Sequence, residues 1–385
     1  MTARTADVVV VGGGVVGVSA AYHLAAAGAG SVVLLERADE LGTGATGACA
    51  GGFRHQFSSE INIRLSLASI PMITGFEQTH GIPLDIAQDG YLFLVRGRER
   101  WDAYVAACAL QRSLGVDARL LSPQEAAELA PGIAPEGIVG AAYCPDDGIA
   151  DPSGLTLGYA TAARRAGAVI DVGVDVTGLR VEHGRVAGVR SSAGDVETRV
   201  VVNAAGPWGG VFAATAGVEL PLEPVPRNVA TTGPFPGVPE RRTLVIDAET
   251  GFYFHREGSG VLMGMGSPSE RSSFDTRPDE TFIAEQIVPT AIRVFPPLEL
   301  AGIARTWAGL YEMTPDRHPI IGEAAALDGF YLANGFSGHG FQHAPIVGKL
   351  LAEMIVDGRA STVDVSRLGL DRFVNGDLGR EGHVV

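Results

Sequence analysis

Three glycines near the start of the chain have the spacing of a phosphate-binding turn. Gly12, Gly14 and Gly17 form the pattern GxGxxG, which follows the apolar run VVVV and precedes a stretch of small residues. Glycine permits the tight turn and the close approach of an anion to the backbone, and the free N–H groups at the start of a helix would bind a pyrophosphate. The pattern therefore predicts a nucleotide site, provided that a strand precedes the turn and a helix follows it.

The residues around the turn predict the strand and the helix that such a site needs. Val8 to Val11 is a buried strand, Val15 to Ala27 a helix of small residues, and Ser31 to Glu36 a second strand. Glycines interrupt the apolar run repeatedly, so we expect no membrane span. Glu36 ends the second strand, where its carboxylate would accept a hydrogen bond from a ribose hydroxyl and repel a 2′-phosphate.

The composition indicates a soluble protein with large cores. Of 385 residues, 46% are hydrophobic and 19% are charged, and this length favours two or three domains. Because the net charge is −15, we expect no nucleic-acid partner. Cys49, Cys108 and Cys144 lack the spacing of a metal site, which favours buried thiols in the reducing cytoplasm. The opening residues, MTARTAD, lack the features of a secretory signal.

Two later segments have a composition similar to that of the first strand and its glycine turn. Asn203 to Trp208 spells NAAGPW after a valine-rich run, and Asn334 to Gln342 spells NGFSGHGFQ before a helical segment. An NAD-binding fold is usually one contiguous stretch, whereas this chain returns twice to its first sheet. The N–H groups that begin the last helix could face the negative charge of a reduced flavin, which favours FAD as the cofactor.

These returns predict two domains that are threaded through one another. We expect a Rossmann-like α/β domain for FAD in residues 1–80, 145–215 and 301–385. The substrate domain, an α+β unit on a mixed or antiparallel sheet, would take residues 81–144 and 216–300. Other expected elements are a helix over Ser58 to Thr79, a strand in GYLFLV and a capping box in SPQE. The proline-rich residues 221–239 are expected to be irregular.

The assembled motifs resemble the flavoprotein family of D-amino acid oxidase, glycine oxidase and sarcosine oxidase. Within this family, the similarity is greatest to sarcosine oxidase and to the β subunits of sarcosine oxidase and proline dehydrogenase. The motifs follow in order along the whole chain: GGGVVG, LLER, GATGACAGGFRHQF, GYLF, NAAGPW, GFYF, GLYEMTPDRHPIIG and GFSGHGF. The resemblance implies an FAD-binding domain of the GR2 type and a reaction in which a hydride leaves the carbon beside an amine nitrogen for the flavin.

The resemblance also assigns roles to individual residues. Arg54 falls where sarcosine oxidase binds the substrate carboxylate, Tyr253 and Tyr311 where tyrosines line its substrate cavity, and His339 in the loop against the flavin ring. The residues expected to hold FAD are Gly12, Gly14, Val15, Val16, Gly17, Glu36, Arg37, Thr43, Thr46, Gly47, Ala50, Gly51, Gly52, Val176, Ala204, Ala205, Gly206, Trp208, Gly309, Gly335, Ser337, Gly338, His339, Gly340, Phe341 and Gln342.

Several positions depart from the family pattern. Gly309 replaces the cysteine that bonds covalently to the flavin, so the resemblance implies noncovalent FAD. Pro152 stands near the position of a histidine that links FMN, which argues against a second flavin. Gln342 replaces a lysine that assists carboxylate binding, and Met263 replaces the lysine that activates oxygen, so oxidase and dehydrogenase both stay open. Tyr311 occupies the position of the carboxylate-binding arginine of glycine and D-amino acid oxidases, which favours Arg54 for that role.

Simpler interpretations of these residues also stand. His339 and His343 have the spacing of a metal pair, but His339 precedes the helix and no acidic or cysteine partner is near in sequence, so we expect no metal. Arg54 could be a surface cation and Tyr253 a core aromatic. The alternation in GFYFH directs Phe252 and Phe254 to one face and Tyr253 to the other.

The sequence therefore predicts an FAD-dependent enzyme that oxidises the C–N bond of a small, N-substituted amino acid. Oxygen or another acceptor would take the electrons. The alternatives are a catalytic subunit of a heteromeric sarcosine or proline dehydrogenase, a glycine or D-amino acid oxidase, and a hydroxy-acid dehydrogenase. A non-enzymatic alternative is a flavin-holding subunit for assembly or electron relay.

Overall fold

A six-stranded sheet is assembled from the start, middle and end of the chain. The computed structural model describes residues 4–267, 269, 271–376 and 379–383. The strands of this sheet, in spatial order, are Val169–Asp171, Val32–Leu35, Val8–Val11, Val200–Asn203, Phe330–Asn334 and Ile320–Glu323. All neighbours are parallel except the last pair. Parallel strands are buried on both faces, which explains their continuous apolar runs.

Helices cover the six-stranded sheet. The predicted first helix is confirmed over Val15–Ala26, where it packs against Gly340–Asp357, the long helix that follows the last glycine loop. A third helix, Pro152–Arg165, packs against the first and begins at Asp151, whose carboxylate caps the Ser153 N–H. The first helix and the long helix approach closely at Gly348, where an added Cβ would collide with Ser19.

The second large sheet is mixed, as predicted for the substrate domain. Its eight strands, in spatial order, are Ile303–Met313, Glu223–Thr232, Gly260–Met265, Phe252–Glu257, Leu244–Asp247, Tyr91–Val95, Gly140–Cys144 and Arg119–Leu121. Only Leu244–Asp247 and Tyr91–Val95 pair in parallel. Phe252 and Phe254 enter the hydrophobic core on one face, and Tyr253 lies on the other, so the predicted alternation is confirmed.

The expectation of an irregular segment at 221–239 is wrong over Glu223–Thr232. This strand contains Pro224 and Pro226, which pair only with Ile303–Met313 on one side. Pairing with Gly260–Met265 on the other side begins at Asn228, beyond both prolines. A proline has no backbone N–H to donate to a second neighbouring strand. The two prolines are tolerated here because the strand has only one neighbour at that point.

Two small sheets and the remaining helices complete the fold. One small sheet contains the strands Arg4–Thr5, Val196–Glu197, Arg185–Ser191 and Val176–Glu182. The other contains Gly52–Phe53, Gly148–Ala150 and Ile86–Ala87. The other helical segments are Glu60–Thr74, Phe76–His80, Arg98–Ser113, Pro123–Leu129, Gly206–Trp208, Gly209–Ala214, Glu280–Phe282, Ile283–Ile287, Val288–Val294, Pro296–Leu300, Ser366–Leu368 and Arg372–Asn375.

Three local expectations can be compared with these elements. The helix predicted over Ser58 to Thr79 is divided at Gly75, which ends one helix and begins the next. The capping box at Ser122 and Glu125 is confirmed, with both reciprocal hydrogen bonds present. No helix among the described residues is long and apolar enough to cross a membrane.

The domain boundaries stay a prediction. Ile303–Met313 pairs in the eight-stranded sheet, although the predicted boundary at residue 301 assigns it to the cofactor domain. The six-stranded sheet does draw its strands from all three segments that were assigned to that domain. The chain is therefore described better as separate sheets built from interleaved segments than by a single boundary between two domains.

Candidate active site

The carboxyl ends of three parallel strands meet at one edge of the six-stranded sheet, and the glycine turn lies there. Gly12 has a φ of +110°, and a Cβ at this position would collide with the carbonyl oxygen of Ala204. A Cβ at Gly17 would collide in the same way with the carbonyl oxygen of Gly12. The first and third glycines thus permit contact between the turn, the helix and the neighbouring strand end.

The Glu36 carboxylate lies directly beside the turn. It accepts hydrogen bonds from the Gly13 N–H at 2.5 Å and the Ala38 N–H at 2.8 Å. The hydroxyl of Thr46 accepts from the Val15 N–H at 3.2 Å. The N-terminal residue of this helix provides no side-chain cap and its first turn has no acidic residue. These features fit a pyrophosphate at the helix N-terminus and a ribose near Glu36.

Other predicted nucleotide contacts surround this turn. The Arg37 guanidinium lies 3.8 Å from the ring centroid of Trp208, joining the loop after the second strand to the loop 203–209. The Ala205 N–H donates to the Asn203 side chain at 3.2 Å, which fixes that loop. Val176 lies further along, just beyond a segment that hydrogen-bonds to residues 36–38. In the segment 43–52, Thr43 and Gly47 are exposed, whereas Ala50, Gly51 and Gly52 line the adjoining cleft.

A second helix N-terminus opens into the same cleft. Gly335, Ser337 and Gly338 have φ values of +75°, +50° and +93°, and this loop leads into the helix Gly340–Asp357. His339 precedes the helix without capping it, and the first turn carries no acidic side chain. The loop therefore leaves N–H groups and the positive helix end for an electron-rich group, which fits the N1/C2=O edge of a flavin.

One face of the eight-stranded sheet forms the opposite wall of the cleft. Strand pairing aligns Tyr253 with Gly264, and Gly264 with Val229 on the next strand. Because alternate residues share a face, Arg227 lies on the same side as Val229, and it is paired with Gly309. A Cβ at Gly309 would lie 2.8 Å from the Ala48 Cβ, so the segment 43–52 packs close to this wall.

Three tyrosines line the cleft as neutral hydrogen-bonding groups. Tyr91, Tyr253 and Tyr311 all contribute to its wall. Burial raises the pKa of each phenol above its usual value, so none ionises at neutral pH. The ring of Tyr311 lies against Gly338, where a Cβ would collide with it, and so touches the second glycine loop.

Arg54 is buried at the floor of the cleft, with a relative exposure of 5%. Its guanidinium lies 4.0 Å from the ring centroid of Phe57. Nη1 donates to the Gln56 carbonyl and Nη2 to the His383 carbonyl. Since these contacts use two of five N–H groups, three donors remain for a ligand. The interpretation of Arg54 as a surface cation is therefore wrong.

Gln342 fixes the backbone of Arg54 from the long helix. Its Oε1 accepts from the Arg54 N–H and its Nε2 donates to the Arg54 carbonyl, both at 3.0 Å. This pair of hydrogen bonds links residue 54 to the helix that begins at the second glycine loop. The glutamine thereby couples the position of the buried cation to that loop.

A stretch near the end of the described chain also holds Arg54. Glu381 accepts hydrogen bonds from the side chains of Ser58, Ser59 and Asn62, and His383 stacks on Tyr104 with a centroid distance of 4.3 Å. Burial alone would raise the pKa of Glu381, but these and backbone hydrogen bonds outweigh it and lower the pKa. The carboxylate is thus held ionised, and it anchors residues 381–383 over the floor of the cleft.

His339 and His343 are buried and neutral. Burial, followed by the positive charge of Arg54, lowers the pKa of His339 well below its usual value and that of His343 to about 3. Neither belongs to the one group of possible metal ligands found among the described residues, which is His55, Cys144 and Asp147. The Asp147 carboxylate already accepts from the His55 ring and from Gln56, which indicates a structural anchor.

A buried carboxylate under the second glycine loop was not expected from the sequence. Glu312 has a relative exposure of 8%, and its Oε1 accepts from the Phe336 N–H at 3.4 Å. Burial raises its pKa to about 7, against the opposing effect of the N–H groups of Gly335 and Phe336. The fold therefore shifts this carboxyl group toward its protonated form.

The structure brings together the four residues that were predicted to be catalytic. Arg54, Tyr253, Tyr311 and His339 all line one cleft, which also contains Gly309, Ser337, Gly338, Phe341 and Gln342. Sequence reasoning missed Arg227, Tyr91 and the stretch 381–383. Arg227 lies in the strand that was expected to be irregular, so the alternation of its residues between the two faces of a sheet was not considered. No local signal linked residues 381–383 to Arg54.

This architecture, with a glycine turn at the start of one helix and a buried cation beside the start of another, is that of a Rossmann-like dinucleotide-binding oxidoreductase. The chain belongs to the FAD dependent oxidoreductase family, DAO, whose model matches residues 7–354. Noncovalent binding of FAD fits Gly309, which offers no side chain to the cleft.

Known relatives extend the comparison. The human sarcosine dehydrogenase, mitochondrial, is 33% identical over 369 residues, which cover 92% of this chain and 40% of that protein. The chain thus spans less than half the length of this curated relative. The structure of L-proline dehydrogenase from P. horikoshii has a TM-score of 0.91 at 32% identity and covers 98% of this chain and 100% of its own. Glycine oxidase from Geobacillus kaustophilus has a TM-score of 0.85 at 26% identity, over 96% of this chain and 99% of its own.

Proposed function

We propose that this protein oxidises the C–N bond of a small amino acid, N-substituted or secondary, to an imine. The observation that supports this most directly is the buried Arg54 guanidinium, which lines the same cleft as Tyr253, Tyr311 and the second glycine loop. An ionised carboxylate in a buried cleft needs a cation, and the planar fork of arginine fits it with two parallel hydrogen bonds. Three donors of Arg54 remain for this purpose.

The residues of the chain bind and orient the substrate. Arg54 holds the carboxylate, and Tyr253 and Tyr311 form the wall that fixes the α-carbon against the loop 335–340. FAD, when bound, supplies the acceptor for a hydride from that carbon. A stronger side-chain base is not needed for hydride removal, so positioning provides most of the catalysis.

The cleft also keeps the substrate amine neutral, as hydride removal requires. Burial disfavours an ammonium ion, and the positive charge of Arg54 disfavours it further. The three tyrosines are neutral, and His339 carries no charge because burial and Arg54 lower its pKa. Water hydrolyses the imine product, and oxygen or another acceptor takes up the electrons.

The test is anaerobic mixing of the holoprotein with sarcosine, glycine, proline, D-alanine and larger N-alkyl amino acids. We expect loss of flavin absorbance at 450 nm with at least one N-substituted or secondary amino acid and little with glycine or D-alanine. Admission of air then distinguishes an oxidase from a dehydrogenase by the speed of recovery. Absence of bleaching with every compound would contradict the proposal and favour a flavin-holding subunit.

A dehydrogenase that transfers electrons to a partner is the second candidate. Lys349 is the only lysine of the chain, and it lies on a helix surface beside Glu353. Met263, where the resemblance implies an oxygen-activating lysine, lies in the hydrophobic core on the face of the sheet opposite Tyr253, so a side chain at this position does not reach the cleft. Activity of the isolated chain with an artificial acceptor, together with slow recovery in air, would favour this candidate. Co-purification with other subunits would favour a heteromeric form.

The cytoplasm remains our proposal for the compartment. Cys49, Cys108 and Cys144 are all free thiols, as a reducing compartment would allow. Cys108 and Cys144 are buried, whereas Cys49 is partly exposed in the cleft.

A further inference from the structure

The second glycine loop is held from beneath by one residue, Glu312. The Ser337 N–H donates to the backbone carbonyl of Glu312 at 3.1 Å, and the Phe336 N–H donates to its side-chain Oε1 at 3.4 Å. A backbone hydrogen bond from Gly335 reaches the same carboxyl group. Three consecutive N–H groups of the loop are therefore directed at Glu312, and its carboxyl group lies against the loop backbone.

The Glu312 carboxyl group lies on the side of the loop that faces away from the cleft. Neighbouring residues of a strand point to opposite faces, and Tyr311, the residue before Glu312, lines the cleft. Ser337 and Gly338 line the cleft as well, whereas Glu312 does not. A ligand in the cleft would thus contact the loop, and Glu312 would act on that ligand only through the loop.

The hydrogen bonding of this carboxyl group is incomplete. Its Oε2 is buried and has no hydrogen-bond partner among the residues that the structure describes. Glu381 provides the contrast, because the side chains of Ser58, Ser59 and Asn62 all donate to it and its pKa is lowered despite burial. A buried carboxylate with an unpaired oxygen is costly, so a small change in its surroundings can decide whether Glu312 is ionised.

Charged and titratable groups lie on the elements around Glu312: Tyr311, Asp316, Arg317, His318, His339, His343, Glu223 and Arg227. None of them is among the causes that shift the pKa of Glu312, which are burial and the N–H groups of Gly335 and Phe336. The protonation of Glu312 is therefore set by its burial and by the second glycine loop.

The loop places Glu312 behind the position where a reduced flavin carries its negative charge. The N1/C2=O edge of the flavin fits the cleft side of the loop, and a carboxylate on the other side is a like charge that opposes reduction. We propose that Glu312 is a positioning residue that couples reduction of the flavin to the uptake of a proton. This inference rests on the proposed function, in which the loop 335–340 faces the flavin.

The charges of this step balance without a further reactant. The flavin accepts the hydride and gains one negative charge, while the Glu312 carboxylate accepts one proton from solvent and becomes a neutral carboxylic acid. Only an O–H bond is formed at Glu312, and no bond joins it to the flavin. The loop N–H groups that Glu312 no longer attracts as an anion then act on the reduced flavin alone.

The effect of Glu312 should depend on pH in a defined direction. Burial raises its pKa to about 7, so before reduction the group is largely protonated at pH 5.5 and largely ionised at pH 8.5. Its charge therefore opposes flavin reduction at pH 8.5 and not at pH 5.5. The variant Glu312→Gln is neutral at both pH values and can still accept the Phe336 N–H.

The experiment measures the midpoint potential of the holoprotein from pH 5.5 to 8.5 by dithionite titration with a reference dye. Wild type and Glu312→Gln should have equal potentials at pH 5.5. At pH 8.5 the equilibrium constant for flavin reduction should be about tenfold larger in the variant, which is about 30 mV for a two-electron couple. A purely structural effect of the substitution would change the potential by the same amount at every pH.

Two further variants serve as controls. Glu323→Gln removes an exposed carboxylate that accepts the Gly329 N–H at 2.6 Å, at the opposite end of the strand Phe330–Asn334 from the loop. It should keep the wild-type potential throughout the pH range. Glu312→Asp keeps an ionisable group, so its potential should again differ from that of Glu312→Gln more at pH 8.5 than at pH 5.5.

Proton uptake by the wild-type holoprotein tests the inference even if the Glu312 variants do not fold or do not hold FAD. A pH indicator should show about half a proton more taken up on reduction near pH 7.5 than at pH 9. Equal uptake at these two pH values would overturn the role of Glu312. A difference in potential between wild type and Glu312→Gln that is zero or constant from pH 5.5 to 8.5 would overturn it as well.

Dithionite reduces the flavin without an amino acid, so these outcomes are independent of the substrate. A pH-dependent difference in potential, combined with no bleaching by any amino acid, would contradict the proposed oxidation and support the role of Glu312. Bleaching by an N-substituted amino acid, combined with a constant difference in potential, would support the proposed function and overturn the role of Glu312.

Discussion

The proposed site has a nucleotide end at the first glycine turn and a substrate end in the cleft, and the two ends are built in different ways. At the nucleotide end, the shape of the site depends on close backbone contacts, and Gly12 and Gly17 are required because any Cβ would collide with a neighbouring carbonyl oxygen. At the substrate end, the cleft is lined by side chains from distant segments, among them Arg54, Arg227 and Tyr253. The first design depends on local geometry and the second on tertiary assembly. Substitutions should therefore have different consequences at the two ends.

The largest effect is expected at the nucleotide end for Gly12→Ala. The φ of +110° and the collision with Ala204 leave no room for a methyl group, so we expect a loss of at least about 3 kcal/mol in the free energy of unfolding and loss of bound flavin. Gly28→Ala is the matched control, because its φ is +77° but no atom lies within 4 Å of the added Cβ. It should cost only about 1 kcal/mol and keep the flavin. Absorbance at 450 nm and a urea titration measure both effects.

At the substrate end, Arg54→Gln should impair binding while the protein stays yellow. Loss of a charge-assisted contact to the carboxylate costs about 2–3 kcal/mol, so the Kd for the substrate should rise about 30- to 150-fold. Anaerobic titration of flavin bleaching provides the measurement. An unchanged Kd together with an unchanged limiting rate of bleaching would remove Arg54 from the substrate site. Loss of flavin in this variant would show instead that the two ends are not separable.

Glu312 lies under the second glycine loop, and the expected effect of substituting it depends on pH. Its folded-state pKa of about 7 is above the unfolded value of 4.5, so its favourable contribution is present below pH 4.5 and is lost as pH rises through 7. Glu312→Gln mimics the protonated form and should be more stable than wild type by about 2 kcal/mol at pH 8.5. The two proteins should be nearly equal at pH 5, which urea titrations at both pH values test. An identical difference at the two pH values would argue against a buried, protonated carboxyl group.

The smallest effect is expected for Arg37→Gln. The contact of Arg37 with the Trp208 ring contributes about 0.5–1 kcal/mol, so the Kd for FAD should rise no more than about fivefold. Reconstitution of the apoprotein with FAD gives this value from flavin fluorescence. A much larger rise in the Kd for FAD would weaken the contrast between the two ends, because the nucleotide end would then depend strongly on a side chain as well.

The sequence predicts the strand–turn–helix–strand unit of the nucleotide end well, because the information for it is local. The spacing of Gly12, Gly14 and Gly17 and the position of Glu36 lie within one strand–turn–helix–strand unit, which the structure confirms. The alternation around Tyr253 is similarly local, and its predicted face is correct. In each case, the backbone geometry of a few neighbouring residues determines the outcome.

The sequence predicts the substrate end less completely. Two prolines kept the strand Glu223–Thr232 from being recognised in the sequence. Only the tertiary structure shows that each proline lies where the strand has a single neighbour and no second strand needs its N–H. Arg227 was missed with that strand. Glu381 reaches Ser58 across more than 320 residues, and no periodicity or motif connects two positions so far apart. The site roles of Arg54, Tyr253, Tyr311 and His339 stay predictions, although the structure places all four side chains along one cleft.

The order of strands in the six-stranded sheet has a consequence for biosynthesis. Val8–Val11 leaves the ribosome first, but its neighbour Val200–Asn203 emerges much later, and Phe330–Asn334 later still. The nascent N-terminal unit therefore exposes a strand edge and an apolar helix face until these later strands are synthesised, and chaperones would protect them. Because the second glycine loop, which we propose to hold FAD, follows Phe330–Asn334, we expect capture of FAD only after all of these strands have been synthesised.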